Sequence, residues 1–193
     1  MVISMKKLII YAHPKEEGHC ATVLNEVRDT LIKKNKEFEL LDLYRINFDP
    51  ILTKEEFTTE GHTKATEQNK LIQDKINASD ELIFIYPAWW AGMPAILKGF
   101  FDRLFTEGFA LSFEGKMPKG LLKNKKATVY MTTGGPKFIH FIMGNRYKKL
   151  IKKDILEFSG IKTNFIHIDN CRQLDDKKKQ EIKNIVSEVM EEE

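Results

Sequence analysis

The feature that most constrains this fold is a regular alternation between short apolar segments and longer segments of helical character. Two of the apolar segments, residues 8–12 and 81–86, show no alternation of apolar and polar residues. Strands of that kind are typical of a sheet that is covered on both faces. We therefore predict five β-strands, at residues 8–12, 38–43, 81–86, 127–132 and 163–168.

The segments between the strands have apolar residues that repeat with the period of a helix. In residues 66–78, for example, Leu71, Ile72 and Ile76 are expected to share one buried stripe. Gly160 follows another such segment and is expected to cap its carboxyl end. Helices are predicted at residues 20–34, 66–78, 94–105, 148–159 and 175–190.

Strands that alternate with helices imply a parallel sheet, because parallel strands need long crossover connections. Five strands fit the flavodoxin-like order 2-1-3-4-5. The predicted fold class is thus α/β, a three-layer sandwich with helices on both faces of the sheet. No repeat, low-complexity segment or linker interrupts residues 1–193, so we expect a single domain, with residues 1–5 disordered and one long irregular segment at 44–64.

Composition narrows the possible partners and compartment. The net charge is only +3 and the lysines are spread along the chain, which argues against nucleic acid as a partner. No apolar run is long enough to span a bilayer, and no secretory leader begins the chain, so we expect a cytoplasmic protein without membrane insertion. Cys20 and Cys171 make no disulfide framework, and the scattered histidines predict no metal site.

Three unusual loops follow the first, third and fourth strands. In an open parallel sheet, ligands bind outside the carboxyl ends of the strands, so these loops are expected to form one composite site. The first loop carries His13 and leads into a helix N-terminus, which favours an anion such as phosphate. The alternative is that His13 and Pro14 merely end the strand. No glycine pattern of a Rossmann or P-loop site is present.

The second and third loops have their own alternatives. Trp89 and Trp90 in the second would wall a planar aromatic ligand, or else plug the core or make a dimer contact. Gly134 and Gly135 in the third let backbone amides approach a ligand closely, or else form a plain turn.

One long segment carries a family resemblance. Residues 87–105 (PAWWAGMPAILKGFFDRLF) and 107–110 resemble the NAD(P)H:quinone oxidoreductase family, which includes DT-diaphorase and modulator of drug activity B. Residues 8–14, 42–44, 47–50 and 132–135 also match in order. The resemblance covers roughly residues 6–135 and implies a flavodoxin-like flavoprotein.

The resemblance implies a set of cofactor-binding residues. FMN is expected rather than FAD, because the chain is short and has no obvious adenine-binding extension. Gly18 and Cys20 stand where the family offers serine and asparagine, so backbone amides and Lys15 would have to replace those side chains. The implied cofactor-binding residues are His13, Gly18, His19 and Cys20 at the phosphate, Pro87, Ala88, Trp89, Trp90 and Ala91 along the ring, and Thr132, Thr133, Gly134 and Gly135 at its N1 and O2 edge.

The resemblance also implies the activity. Two-electron hydride transfer from NAD(P)H to a quinone or related small-molecule acceptor would proceed by ping-pong exchange in a homodimer. Trp90, Leu111 and Phe113 would line the substrate pocket. His140 and Tyr147 are the candidate catalytic side chains, although neither aligns with the family's tyrosine–histidine pair. Two alternatives are a flavodoxin-type electron carrier and a flavin-binding regulatory subunit of a membrane transporter.

Overall fold

A parallel sheet of five strands lies at the centre of the structure, a computed structural model that describes residues 6–57, 64–113 and 117–191. Residues 1–5, expected to be disordered, lie outside the described residues. The sheet order is β2-β1-β3-β6-β7, and β4 pairs with β5 in a separate antiparallel hairpin. The strands are β1 (Lys7–Tyr11), β2 (Phe38–Asp42), β3 (Glu81–Pro87), β4 (Leu111–Ser112), β5 (Lys119–Gly120), β6 (Lys126–Thr132) and β7 (Lys162–Ile168).

Helices cover both faces of the sheet. On one face α2, α3 and α5 contribute to a shared core, and on the other face α1 and α6 do so. None of the helices that the structure describes combines the length and the apolar composition needed to cross a bilayer. The helices are α1 (His19–Lys33), α2 (Glu67–Asn77), α3 (Ala95–Leu104), α4 (Lys137–Ile142), α5 (Arg146–Lys148, continued by a π-helical segment at Lys149–Glu157) and α6 (Asp176–Glu191).

The predicted fold class is confirmed. The five sheet strands take the predicted 2-1-3-4-5 order once the β4–β5 hairpin is set aside. Every residue of β1 and β3 is buried, as their uninterrupted apolar patterns indicate. Gly160 adopts φ +94° just beyond α5, which is the left-handed conformation of a helix cap.

Three features differ from the expectations. The prediction for Leu71 was wrong: its side chain is 65% exposed, because Ile72 and Ile76 share the buried stripe of α2 with Asn69 instead. The irregular segment at 44–64 contains a 3₁₀ turn at Lys54–Glu56, and its residues 58–63 lie outside the described part. Helix α4 and the β4–β5 hairpin were not predicted.

The segment before α2 fixes the position of α3. Gly99 lets α3 approach this segment closely, since a Cβ there would lie 2.2 Å from the Pro50 carbonyl oxygen. Arg103 of α3 donates from Nε to Glu56 at 2.8 Å and from Nη1 to the Asp49 carbonyl at 2.6 Å. These contacts anchor the helix that begins directly after the tryptophan loop.

Candidate functional site

A cavity of about 320 Å³ opens where β1, β3, β6 and β7 end. Small-molecule sites have volumes of about this size or more. All of the predicted cofactor-binding residues except Trp90, Ala91 and Gly135 lie in its wall. The residues that line it are His13, Lys15, Glu17, Gly18, His19, Cys20, Pro87, Ala88, Trp89, Thr132, Thr133, Gly134 and Cys171.

Two other cavities are larger, at about 450 and 430 Å³. The first is lined by the segment after β7 and by α6, and the second mainly by the amino ends of β3, β6 and β7. Among the described residues, neither is lined by one that the sequence singles out. We therefore identify the candidate site by its donor groups and not by its volume.

The N-terminus of α1 forms one end of the cavity. Gly18 occupies the N-cap position with φ +100°, a conformation that favours glycine, and no side chain caps the helix. The first N–H groups of a helix have no intrahelical acceptor. The N–H groups of His19 and Cys20 therefore remain for an anion, and the helix dipole favours negative charge there.

The Cys20 side chain serves packing. It is 2% exposed, and its sulfur lies 3.2 Å from the Thr132 hydroxyl oxygen. Burial raises the pKa of the Cys20 thiol to about 12. The thiol is therefore protonated at neutral pH and is not a nucleophile, so this residue offers the cavity its backbone N–H.

His13 can present a hydrogen-bond donor to the cavity. Its Nδ1 accepts from the Lys15 N–H at 3.1 Å, and the Lys15 carbonyl, 3.2 Å from the same nitrogen, accepts from the Tyr11 hydroxyl at 3.1 Å. In the neutral ring the proton therefore lies on Nε2. The Lys15 side chain adds a positive charge to the same wall.

A tight hairpin turn forms the aromatic wall. Trp89 and Gly92 exchange both backbone hydrogen bonds, at 2.9 and 3.0 Å. Between them Trp90 and Ala91 adopt φ +50° and +56°, values that are uncommon for residues with a Cβ. The turn holds the Trp90 side chain fully exposed, outside the cavity wall.

Two amides of this turn already have acceptors within the chain. The Ala88 N–H donates to the Thr132 carbonyl at 2.8 Å, and the Trp89 N–H donates to Gly92. The first amide holds the turn to β6, and the second closes the turn itself. A ligand would meet the side chains of Ala88 and Trp89 rather than their N–H groups.

The third loop supplies the unused amides. The Thr133 N–H donates to the Ile168 carbonyl at 2.9 Å, so Thr133 is held to β7 by its backbone. Within the described residues, no acceptor lies in hydrogen-bond range of the Gly134 or Gly135 N–H. A Cβ on Gly134 would meet nothing within 4 Å, which shows open space at this wall.

A hydrogen-bonded network that was not predicted lies behind the third loop. His167 Nε2 is 2.7 Å from the Thr133 hydroxyl oxygen, and its Nδ1 is 3.2 Å from the Tyr147 hydroxyl oxygen. The His140 ring packs edge-on against both, with ring centres 5.4 Å from His167 and 5.0 Å from Tyr147. Tyr147 therefore reaches the third loop through His167, whereas the His140 ring lies beside the loop itself, with Nε2 3.9 Å from where a Cβ on Gly135 would stand.

Two predicted substrate-pocket residues lie elsewhere. Leu111 lines an apolar groove between α3 and α5 together with Phe101 and Phe105. Phe113 follows β4 and is 48% exposed. Within the described part of this chain, neither belongs to the wall of the candidate cavity.

The loop after β7 also borders the site, and it is not one of the three loops predicted from the sequence. Cys171 lines the cavity, and its N–H donates to the Thr133 carbonyl at 2.8 Å. Arg172 donates from Nε to the Gly134 carbonyl at 3.1 Å. The rule that ligands bind at the carboxyl ends of the strands could have found this loop too, because β7 is parallel to β6.

Comparisons with known proteins agree with this architecture. A family model described as flavodoxin-like fold matches residues 5–191. An uncharacterized NAD(P)H oxidoreductase of Haemophilus influenzae is 31% identical over 90% of this chain and 88% of its own length. NAD(P)H dehydrogenase [quinone] 1 of Cavia porcellus is 33% identical over 75% of this chain and 58% of its own length.

A solved structure is similar over nearly the whole chain. The NAD(P)H:quinone oxidoreductase of Methanothermobacter marburgensis superimposes with a TM-score of 0.86, is 26% identical, and covers 96% of this chain and 97% of its own. The chain spans only 58%, 64% and 65% of three quinone dehydrogenases that it matches. On the family model and these relatives, the chain belongs to the flavodoxin-like family of NAD(P)H:quinone oxidoreductases.

Proposed function

We propose that this protein is a flavin-dependent oxidoreductase that takes electrons from NAD(P)H and reduces a quinone or a related small-molecule acceptor. One observation carries the proposal: a single cavity joins the free N–H groups of a helix N-terminus, an aromatic turn and a glycine amide that lacks an acceptor among the described residues. A bound flavin supplies the redox chemistry, and the protein supplies binding and electrostatics.

The wall fits a ligand with an anionic end and a planar end. The N–H groups at the start of α1, His13 and Lys15 would hold the phosphate. Pro87, Ala88 and Trp89 would lie along the ring. The Gly134 and Gly135 amides would donate to the ring edge where negative charge develops on reduction.

We propose FMN as the cofactor, with FAD as the alternative. A wall that already contains both a phosphate end and a ring end within about 320 Å³ suits a mononucleotide. FMN, unlike FAD, needs no binding site for an adenine group.

We further propose a homodimer that completes the acceptor pocket. Helix α4 contributes no buried residue, and Phe138, Phe141 and Ile142 on it are 63%, 74% and 77% exposed. An exposed apolar surface of this kind favours a protein interface. Since Leu111 and Phe113 lie outside the cavity of their own chain, a pocket that combines them with Trp90 would require a second copy.

We also propose that the chain forms a single domain and that the protein is cytoplasmic. The five sheet strands and the helices on both faces form two cores around one sheet. Cys20 and Cys171 are free thiols, which suits a reducing compartment.

Identifying the cofactor released by heat tests the proposal most directly. We expect a yellow purified protein that releases FMN, and steady-state oxidation of NADPH in the presence of menadione. A yellow protein without menadione-dependent turnover would instead indicate an electron carrier. A protein that stays colourless after incubation with both FMN and FAD would overturn the proposal.

A further inference from the structure

We infer that His167 is a positioning residue: its imidazole holds the Thr133 hydroxyl and, through it, the Gly134–Gly135 turn that forms one wall of the cavity. This inference rests on the proposed function. It concerns a side chain of β7 that does not line the cavity and that the sequence does not single out.

The hydrogen bonds select one form of the imidazole. The Thr133 hydroxyl donates to the Gly135 carbonyl at 2.9 Å, so it must accept the bond at 2.7 Å from His167. That requires the proton on Nε2 and leaves Nδ1 to accept from the Tyr147 hydroxyl at 3.2 Å, which is nearer than that hydroxyl's other acceptor, Asn145 Oδ1 at 3.5 Å. With the proton on Nδ1, the Thr133 hydroxyl could not bond both His167 and Gly135.

The surroundings keep the ring neutral. Burial lowers the pKa of His167 to about 4; His140, Lys137 and Lys148 act in the same direction, and Asp169 opposes them. His167 and Tyr147 line a second cavity of about 230 Å³. The bond to Thr133 is therefore expected to persist at pH values at which an exposed histidine would be charged.

The hydroxyl of Thr133 makes the shorter of the two hydrogen bonds to the carboxyl end of the glycine turn. The backbone of Thr133 is fixed by Ile168 and Cys171 on the β7 side. The turn itself is bonded through its carbonyls: Gly135 accepts from the Thr133 hydroxyl at 2.9 Å and, at the longer distance of 3.3 Å, from the Asn170 N–H, and Gly134 accepts from Arg172. The Gly135 carbonyl belongs to the peptide before Pro136, so the hydroxyl fixes the carboxyl end of the turn and restrains the two glycines whose N–H groups precede it.

Binding of FMN to the apoprotein, followed by fluorescence quenching, tests the inference. In His167→Phe the ring shape stays but the donor is lost, and we expect the affinity for FMN to fall about tenfold. In His167→Gln the side-chain amide can replace Nε2–H, and we expect an affinity within about twofold of the unsubstituted protein. His140→Phe is the matched control, since that ring packs on the network but makes no hydrogen bond among the described residues.

A double substitution separates positioning from a general structural role. Thr133→Val should also weaken FMN binding about tenfold, and adding His167→Phe to it should cause no further loss, because both changes remove the same bond. If the double variant lost affinity for FMN by the product of the two single losses, the inference would be overturned. Full affinity for FMN in His167→Phe would overturn it as well. If His167→Phe does not fold, Thr133→Val and His167→Gln still decide the question.

Nitrogen NMR of His167 gives a readout that needs no flavin. We expect a neutral ring protonated on Nε2 from about pH 8 to about pH 5. Titration near the ordinary histidine pKa, or a proton on Nδ1, would overturn the inference. If the unsubstituted protein bound no flavin, the proposed function would be overturned instead. The NMR result would still report on the hydrogen bonds of His167, because it does not depend on flavin.

Discussion

The polar groups at the amino end of the sheet are paired within the chain, whereas several at the carboxyl end are left without an acceptor among the described residues. At the amino end, Lys7 and Glu81 are nearly fully buried and form an ion pair, and Glu81 also accepts from the Thr128 hydroxyl at 2.8 Å. Nearby, Lys125 donates to the carbonyls of Asn77 and Ser79. These groups satisfy one another within the chain.

At the carboxyl end, the chain leaves donors unused. The N–H groups of His19, Cys20 and Gly134 have no acceptor among the described residues, and open space lies beside Gly134. Unsatisfied donors at a cavity cost stability unless a ligand or water takes them up. We infer that the amino end serves folding and the carboxyl end serves binding, so substitutions at the two ends should separate stability from affinity.

The largest effect is expected at the amino end. Glu81→Leu removes the carboxylate that forms the buried ion pair with the Lys7 ammonium, and we expect the free energy of unfolding to fall by about 3 to 5 kcal/mol. Urea unfolding measures this change. The FMN affinity of the remaining folded protein should be unchanged.

The double variant Lys7→Met, Glu81→Leu is the control for that prediction. Replacing both charges by apolar groups removes the buried ion pair as a whole, so most of the lost stability should return. A double variant as unstable as Glu81→Leu would show that packing, and not the buried charge, determines the loss.

The next effect is expected at the carboxyl end, on affinity alone. Gly134→Glu places a carboxylate in the open space of the cavity, where it would occupy the ring site and repel the reduced, anionic ring. We expect the protein to lose its yellow colour, with FMN affinity lower by about 100-fold or more, equivalent to roughly 3 kcal/mol. Absorbance in the flavin region measures it.

Gly134→Ala is the matched control. A Cβ at this position meets nothing within 4 Å and the backbone conformation is not left-handed, so the fold should tolerate the methyl group. The loss of affinity should be much smaller than for glutamate. If Gly134→Glu stayed fully yellow and active, the third loop would not bind the ring.

This contrast between the ends also marks what sequence can predict. The strands and the carboxyl-end loops were predictable, because uninterrupted apolar runs such as β1 and β3 identify buried parallel strands and the parallel order places their loops together. The tryptophans of the second loop were recognisable because they lie in one of these carboxyl-end loops, where large aromatic side chains can line a ligand. Their roles toward a flavin stay a prediction.

The network at His167 was not predictable from the pattern. His167 and Thr133 are 34 residues apart, and they meet because the register of β6 and β7 pairs Met131 with His167. No local periodicity encodes that register. The prediction for Leu71 failed for a related reason, since the helix rotation about its axis was set by packing on the sheet.

A third prediction concerns pH and the carboxyl end. The folded chain holds the pKa of His167 at about 4, below the ordinary value of 6.5, so between these values the unfolded chain binds a proton that the folded chain does not. Stability should therefore fall as pH falls through this window. We expect the unsubstituted protein to lose about 1 to 2 kcal/mol more than His167→Gln between about pH 7 and about pH 4.5 in urea unfolding. Equal losses would place the His167 pKa near its ordinary value.

The smallest effect is expected at Arg172, at the outer rim of the carboxyl end. Its guanidinium is exposed and donates to the Gly134 carbonyl, so water can partly replace it. Arg172→Ala should weaken FMN binding only about two- to fivefold, consistent with the worth of one exposed hydrogen bond. Arg172→Gln keeps a donor and removes the charge, and isothermal titration at two salt concentrations compares them. Arg172→Gln could lose as much FMN affinity as Arg172→Ala at low salt, and this loss could disappear at high salt. That result would mean that Arg172 acts through its charge on the ligand phosphate, and not by holding the turn.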